Sequence, residues 1–461
     1  MNLALSEVAA MLGVPYAGTG ATVSRVSTDS RSIRSGDLFI ALRGEKFDGG
    51  AFAAQALQQG AAAVVLDATQ APEIAAAIRV DDTRLALGRL AAAWRARFDI
   101  PVVAITGSNG KTTVKEMLAA ILRAEAGSDT AVLATEGNLN NDIGVPLMML
   151  RLRHSHRYAV LEMGMNHPGE IDYLTRLARP DVALVNNALS AHIGLLGSVE
   201  AIARAKGEIF NGLGEGGIAI LNADDAHLDM WREMNARRTV LTFGLSAAAA
   251  VSGIWQARDY GSALTLKLPD ATLEIALKVP GEHNVRNALA AATAAFALDV
   301  AYSSIVAGLE GYGGIKGRLV RTPALHGSTF IDDTYNANPD SVKAALAVLA
   351  TQPGKKILVL GDMGELGAEA PAMHAQIGLA ARAAGIDRMF ALGELSRESV
   401  RAFGKGAMHF ERIQELLADL ENELDTDTTV LVKGSRFMQM ERVVQSFRED
   451  PAAAQPGNEV H

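Results

Sequence analysis

No cysteine occurs anywhere in the 461 residues. That excludes a disulfide framework, thiolate zinc sites and cysteine nucleophiles, and it agrees with a reducing compartment. No stretch reaches the roughly 18 uncharged apolar residues of a membrane span, so no membrane insertion is expected. The start, Met1-Asn-Leu-Ala-Leu-Ser-Glu-Val8, lacks the basic opening and apolar block of a signal peptide. A long Lys/Arg block is missing as well, and the net charge is −9. No general nucleic-acid binder is expected from that balance, although single loops can still hold polyphosphates beside a metal ion. What remains is 49% hydrophobic and 21% charged, the balance of a globular protein. The chain is too long for one ordinary core, so about two or three domains in a cytoplasmic protein are expected.

Short aliphatic runs alternate with Ala/Leu-rich helical stretches along most of the length. The runs include Ala63-Val-Val-Leu66, Val102-Val-Ala-Ile105, Ala159-Val-Leu161, Val182-Ala-Leu-Val185, Ile218-Ala-Ile-Leu221, Ile357-Leu-Val-Leu360 and Val430-Leu-Val432. Such alternation is the mark of βαβ units around buried parallel strands, an α/β fold class. Three blocks follow from composition: residues 1–82, 83–316 and 317–450, with 451–461 as a flexible tail. Leu85 to Phe98 reads as a helix leading into the second block, and Val240 to Val279 reads as a β-meander. Gly311-Tyr-Gly-Gly-Ile-Lys-Gly317 reads as a hinge, because glycine permits the backbone changes a moving domain needs.

The sharpest chemical signal is Thr106-Gly-Ser-Asn-Gly-Lys-Thr-Thr113. A buried strand precedes it and a helix should begin at Lys111, so backbone N–H groups and a helix N-terminus would meet phosphate oxygens. The predicted nucleotide contacts are Gly107, Ser108, Asn109, Gly110, Lys111, Thr112 and Thr113. Lys111 would neutralise phosphate charge and the Thr112 hydroxyl would ligate Mg²⁺. The alternative is a glycine turn that only caps a helix. The usual longer pattern needs glycine where Ile105 stands, so a GTPase or motor reading is weakened.

Phosphoryl transfer needs its charge neutralised, usually by divalent metal. Glu162 follows one aliphatic run and His192 follows another, both on the carboxyl side where α/β sites assemble. Either residue alone would more often be structural or solvated; their shared position relative to the phosphate loop reverses that. Lys206, in Ala203-Arg-Ala-Lys-Gly-Glu-Ile209, reads on its own as a surface lysine of a helix.

The short phosphate loop resembles that of the Mur ligase family, and further segments extend the match in order along nearly the whole chain. They are Gly137-Asn-Leu-Asn-Asn-Asp-Ile-Gly-Val-Pro146, Glu162-Met-Gly-Met-Asn166 and Pro280-Gly-Glu-His-Asn-Val-Arg-Asn-Ala-Leu289. Asp332-Asp-Thr-Tyr-Asn-Ala-Asn-Pro339, Leu360-Gly-Asp-Met-Gly-Glu-Leu366 and Val432-Lys-Gly-Ser-Arg-Phe437 complete the series. The resemblance implies a small α/β UDP-binding domain, a central P-loop domain with a parallel sheet, and a C-terminal Rossmann-like domain. Its branch would use ATP and Mg²⁺ to join D-alanyl-D-alanine to UDP-N-acetylmuramoyl-tripeptide through an acyl phosphate, acting as a monomer.

Site residues follow from the same resemblance. Lys206 would be carbamylated, turning a cation into an anionic ligand beside Thr112, Glu162 and His192 in a magnesium set. Asn284 and Asn287 would face the adenine, the alternative being a helix cap and a solvated face. Arg318 would reach the phosphates when the third domain closes, and Asp333 would contact the nucleotide. Tyr335, Asn336, Asn338, Lys433 and Ser435 would help form the ATP and acceptor sites. Ser27, Thr28, Asp29, Ser30, Arg31 and Lys46 would hold the UDP group, although the turn alone is only polar. Lys111, Lys206, His192, Glu162 and Arg318 would be the catalytic set.

Rival readings stay in view. A sibling ligase would add a diamino acid, a reading disfavoured by Tyr335-Asn-Ala-Asn-Pro339. Folate extension is disfavoured by Asp29-Ser-Arg31 in a full-length first block. A non-catalytic nucleotide binder would not need Lys111, Glu162, His192 and Lys206 together. The glycines of Gly361-Asp-Met-Gly-Glu-Leu-Gly367 fall at three-residue intervals, so a nicotinamide cofactor is rejected.

Overall fold

The computed structural model of the chain describes all residues except 17–19, 45–47, 70–73, 75, 76, 192, 247 and 450–461. Lys46, His192 and the expected tail therefore lie outside the described residues. Among the described residues, no helix is long and apolar enough to cross a membrane.

Three large sheets organise the chain, as the alternation of aliphatic runs and helices requires. The first has four parallel strands in chain order: Arg25–Ser27, Asp37–Ile40, Ala63–Asp67 and Ala77–Val80. A short antiparallel pair, Leu3–Ala4 with Thr22–Val23, stands beside it. The second sheet has six parallel strands. Across it run Thr239–Phe243, Ile218–Asn222, Val182–Val185, Val102–Thr106, Tyr158–Glu162 and Val132–Ala134. The strand order turns at Val102–Thr106, with later strands laid on both of its sides. In an open parallel sheet that reversal leaves a crevice at the carboxyl ends, where ligands bind.

The third sheet begins with an antiparallel pair, Val320–Pro323 against Thr329–Asp333. Parallel strands Thr428–Lys433, Lys355–Gly361, Arg388–Leu392 and Ala407–Phe410 continue it. Its strand ends deliver Asp333 and Lys433 side by side, paired in register.

Two expectations are corrected. The helix expected over Leu85 to Phe98 runs Thr83–Arg95, because the Asp82 carboxylate accepts from the Arg84 and Leu85 N–H groups and starts it earlier. The expected meander is three antiparallel strands, Ser252–Arg258, Gly261–Lys267 and Thr272–Leu277. Thr239–Phe243 is instead a parallel edge strand of the central sheet. A five-residue β-branched and aliphatic stretch looks the same at either place, since pairing rather than period decides it.

Helix packing sets the rigidity behind the phosphate loop. The helix Lys111–Ala126 is backed by Glu282–Phe296 and Tyr302–Gly311. A Cβ at Gly308 would lie 2.3 Å from the Ile121 backbone, so only glycine lets these helices approach so closely. Eleven residues of Glu282–Phe296 are buried, most of them alanine, which makes that helix a thin slab between sheet and meander.

Candidate functional site

The phosphate loop is built as its sequence implies. Strand Val102–Thr106 ends in a turn and the helix starts at Lys111. Gly107 has φ +158° and Gly110 φ +80°; at Gly110 the left-handed region excludes most side chains. A Cβ on Gly110 would also lie 2.3 Å from Asn287 Oδ1 and 2.5 Å from Asn186 Nδ2. Asn186 Nδ2 donates to the Asn109 carbonyl and to Asn287 Oδ1, both at 2.9 Å. Asn187 Oδ1 accepts from the Asn109 N–H at 2.9 Å. Side-chain amides thus hold the turn, with the Ser108 and Asn109 N–H groups both tied to Asn187.

Lys111 Nζ folds back to the Gly107 carbonyl at 2.6 Å and the Ser108 carbonyl at 3.3 Å. Burial lowers its pKa, with Glu162 opposing and Arg318 adding to the fall. Arg318 comes from the third sheet's side of the chain and donates to Thr112 Oγ1 at 2.9 Å. Its guanidinium lies over the Tyr335 ring, 4.4 Å from the centroid. That stacking fixes the planar cation against the phosphate loop.

A cavity of about 1150 Å³ opens here, between the central and third sheets. Lys111, Glu162, Asn284, Arg318, Asp333 and Tyr335 are among its lining. The third part of the chain is clasped to the loop by a reciprocal amide pair. Asn338 Nδ2 donates to Asn109 Oδ1 at 2.7 Å, and Asn109 Nδ2 to Asn338 Oδ1 at 3.3 Å. Asp340 accepts from the Ser190 N–H at 3.0 Å and from its hydroxyl, and Gly194 N donates to the Glu365 carbonyl at 3.1 Å. The loops are already in contact across the cavity.

Glu162 is 2% exposed; one of its oxygens, Oε2, has no hydrogen-bond partner among the described residues. A buried carboxylate oxygen without a donor is costly unless a cation or water satisfies it. Magnesium commonly takes one or two protein oxygens plus phosphates and water, and Glu162 with the Thr112 hydroxyl fits that donor set. Among the described residues there is no cluster of three His, Cys, Asp or Glu that would cage a metal alone.

Lys206 is 1% exposed, not the surface residue its sequence suggests when read alone. Its helix, Val199–Gly207, packs its inner face under Trp231, whose indole N–H donates to the Ala203 carbonyl at 2.9 Å. Burial drives the Lys206 pKa well down, and the neighbouring Lys111 charge adds to this. An uncharged amine is the form that reacts with carbon dioxide.

Asn284 and Asn287 are both buried, which overturns the solvated alternative. Asn284 Nδ2 is spent on the Pro280 carbonyl at 2.8 Å, and Asn287 backs the glycine turn. Asp333 and Lys433 do not stand free: Nζ donates to Asp333 Oδ2 at 2.6 Å and to the Asn336 carbonyl at 2.9 Å. Burial raises the Asp333 pKa while Lys433 pulls it back. Ser435 Oγ donates to the Ala337 carbonyl at 3.1 Å and accepts from Gly364 N at 2.8 Å, tying three loops together.

Ser27 to Arg31 are not brought to this cavity. They cap the strand Arg25–Ser27, and Asp29 and Arg31 pair with each other at 2.8 Å. The Arg31 guanidinium and N–H hold the Asp29 pKa at about 2. Several cavity residues had no place in the sequence reading. Asn140 lay inside a quoted motif without a role, and Arg84, ion-paired with Asp142, stood one residue before the expected helix and was not singled out. His283 lines the cavity beside Asn284; burial, with the Lys433 charge, lowers its pKa to about 4.

Three family descriptions match in order: Mur ligase family, catalytic domain, over residues 22–95; Mur ligase middle domain over 105–295; and Mur ligase, glutamate ligase domain, over 317–436. The UDP-N-acetylmuramoyl-tripeptide–D-alanyl-D-alanine ligase of Escherichia coli K12 is 43% identical, covering 98% of this chain and 99% of its own. The chain belongs to the Mur ligase family. A MurF crystal structure from Acinetobacter baumannii superposes with TM-score 0.91 at 37% identity, over 97% of this chain and 98% of that one. A MurF structure from Thermotoga maritima in complex with ADP gives 0.83 at 28% identity, over 92% and 96%. The three-domain Mur ligase architecture accounts for the three sheets. The first matched segment runs to residue 95, so it takes in the helix Thr83–Arg95.

Proposed function

We infer that this Mur ligase is the ATP-dependent enzyme that joins D-alanyl-D-alanine to UDP-N-acetylmuramoyl-tripeptide, a peptidoglycan precursor step of the cytoplasm. The full-length likeness to the Escherichia coli ligase of that activity carries the reading. The ADP complex of the Thermotoga maritima relative supports ATP as the nucleotide.

The tripeptide carboxylate is a poor electrophile. Its oxygen attacks the terminal phosphorus of ATP, ADP departs, and an acyl phosphate forms. The dipeptide amine then attacks the carbonyl carbon, and phosphate leaves from the tetrahedral intermediate as the amide closes. The chain's work is positioning and charge stabilisation. Backbone N–H groups from Gly110 to Thr113 cradle the phosphates, Lys111 swings from its loop carbonyls to them, and Arg318 leaves Thr112 for the transferring group. Glu162 and Thr112, with His192 and a carbamylated Lys206, would hold magnesium, which neutralises phosphate charge when bound. Asn284 and Asn287 border the adenine side. Asp333 and Lys433 act as a pair that sets the loop of Tyr335, Asn336 and Asn338, where with Ser435 the amine substrate docks. Ser27 to Arg31 and Lys46 take the UDP group. Every residue named belongs to one chain, so a monomer is a sufficient working unit.

Phosphate release, measured with ATP, Mg²⁺ and UDP-linked tripeptide while the amine is varied, tests this. Release that depends on D-alanyl-D-alanine is expected. Release instead with a dipeptide-linked acceptor and a diamino acid would move the chain to the sibling activity.

A further inference from the structure

The two oxygens of the Glu162 carboxylate have different surroundings. Oε1 accepts from Asn140 Nδ2 at 2.7 Å, while Oε2 is buried without a partner among the described residues. The backbone beneath is pinned, since the Glu162 N–H donates to Thr135 Oγ1 at 2.9 Å. Thr135 is itself held: its carbonyl accepts from Lys115 Nζ at 2.5 Å, a lysine only 1% exposed. Asn140 is equally constrained. Its carbonyl accepts from Gly164 N at 2.8 Å, and its own N–H reaches the Asn138 carbonyl at 2.8 Å. A Cβ at Gly164 would lie 3.1–3.3 Å from the Asn140 amide group, so glycine lets that amide lie close against the end of the strand.

We propose that Asn140 is a positioning residue that locks Glu162 in one orientation and so decides which carboxylate oxygen is left for the cation. The proposal rests on the magnesium–nucleotide reading above. Asn140 and Glu162 both line the cavity, next to the phosphate loop. An amide suits the place because it donates a hydrogen bond without bringing charge. Aspartate there would set a second negative group beside Glu162, and alanine would let the carboxylate rotate. In either case the carboxylate would have to be ordered when the cation binds, and that cost would appear in metal affinity. Partners that orient a metal ligand typically matter by about 10- to 100-fold in affinity.

The test is calorimetric binding of ADP with and without Mg²⁺, which needs no turnover. In Asn140→Ala, metal-free ADP should bind as it does to the unmutated protein, while the gain in affinity on adding Mg²⁺ should shrink by about 10-fold. Asn140→Asp should reduce the gain at least as far. Gly164→Ala, which nudges the amide by a few tenths of an ångström, should fall between. It also carries the test if the Asn140 variants do not fold. An undiminished magnesium gain in the folded variants overturns the proposal, and so does an equal loss of metal-free ADP binding. No magnesium gain in the unmutated protein would overturn the metal–nucleotide reading itself, and the proposal with it.

Discussion

Two of the buried lysines near the cavity, one in each of the parts that enclose it, have opposite surroundings. Lys433 ends a strand of the third sheet, 3% exposed, with Asp333 Oδ2 at 2.6 Å and a backbone carbonyl at 2.9 Å. Lys206, on a helix of the central domain, is 1% exposed and makes no hydrogen bond or ion pair with any described residue. A buried cation is tolerated when an anion and acceptors take the place of water. Lys433 meets that condition; Lys206 has no such partner among the described residues, and burial penalises its ammonium form. The first arrangement serves to hold a loop. The second leaves a buried amine beside Lys111, and burial disfavours its charged form.

Breaking the contrast from the paired side should have the largest effect. Lys433→Met leaves Asp333 buried and alone, and it should cost about 3–5 kcal/mol, seen as a lower denaturation midpoint. Little change would mean that Asp333 simply takes up a proton and that the pair is not structural.

Next comes the unpaired side. Lys206→Ala should lose about 100-fold in turnover if the residue becomes a metal ligand, with partial recovery on adding short-chain carboxylic acids. Full activity in that variant would remove the carbamate from the account.

The smallest effect carries the opposite sign to the first. In carbon-dioxide-free buffer, Lys206→Met should be more stable than the unmutated protein, by on the order of 1–2 kcal/mol near neutral pH. A lysine whose folded pKa is lowered binds fewer protons folded than unfolded, so stability rises with pH from the folded pKa up to 10.5. The advantage of the variant should therefore shrink as pH climbs toward 10.5. Denaturation curves at several pH values check this; a gap that widens with pH would mean that Lys206 stays charged.

Much of this fold was legible because buried parallel strands write themselves as aliphatic runs. Val182–Val185 matches its run residue for residue, and the phosphate-loop helix starts at Lys111 as expected. The strand Thr239–Phe243 was misplaced because its partner is Ile218–Asn222, a pairing that no local pattern encodes. Glycines and the Lys-Thr pair announced the loop itself, since the chemistry needs them at fixed spacing. Lys206 was invisible for the opposite reason: its burial beside Lys111 brings together residues far apart in sequence. Asn284 and Asn287 came from resemblance, yet the packing of Asn287 behind Gly110 shows a supporting role that resemblance did not include. The self-paired Asp29 and Arg31 are apart from the main cavity, so their part in holding a UDP group rests on family likeness alone.

The central claim is that the tripeptide carboxylate is activated by phosphorylation before the amide forms. UDP-linked tripeptide carrying ¹⁸O in its terminal carboxylate tests it directly, with mass spectrometry of the phosphate released during ligation. An acyl phosphate requires one ¹⁸O atom to leave with each phosphate. Phosphate free of the label, with amide formed at the same rate, would contradict the account.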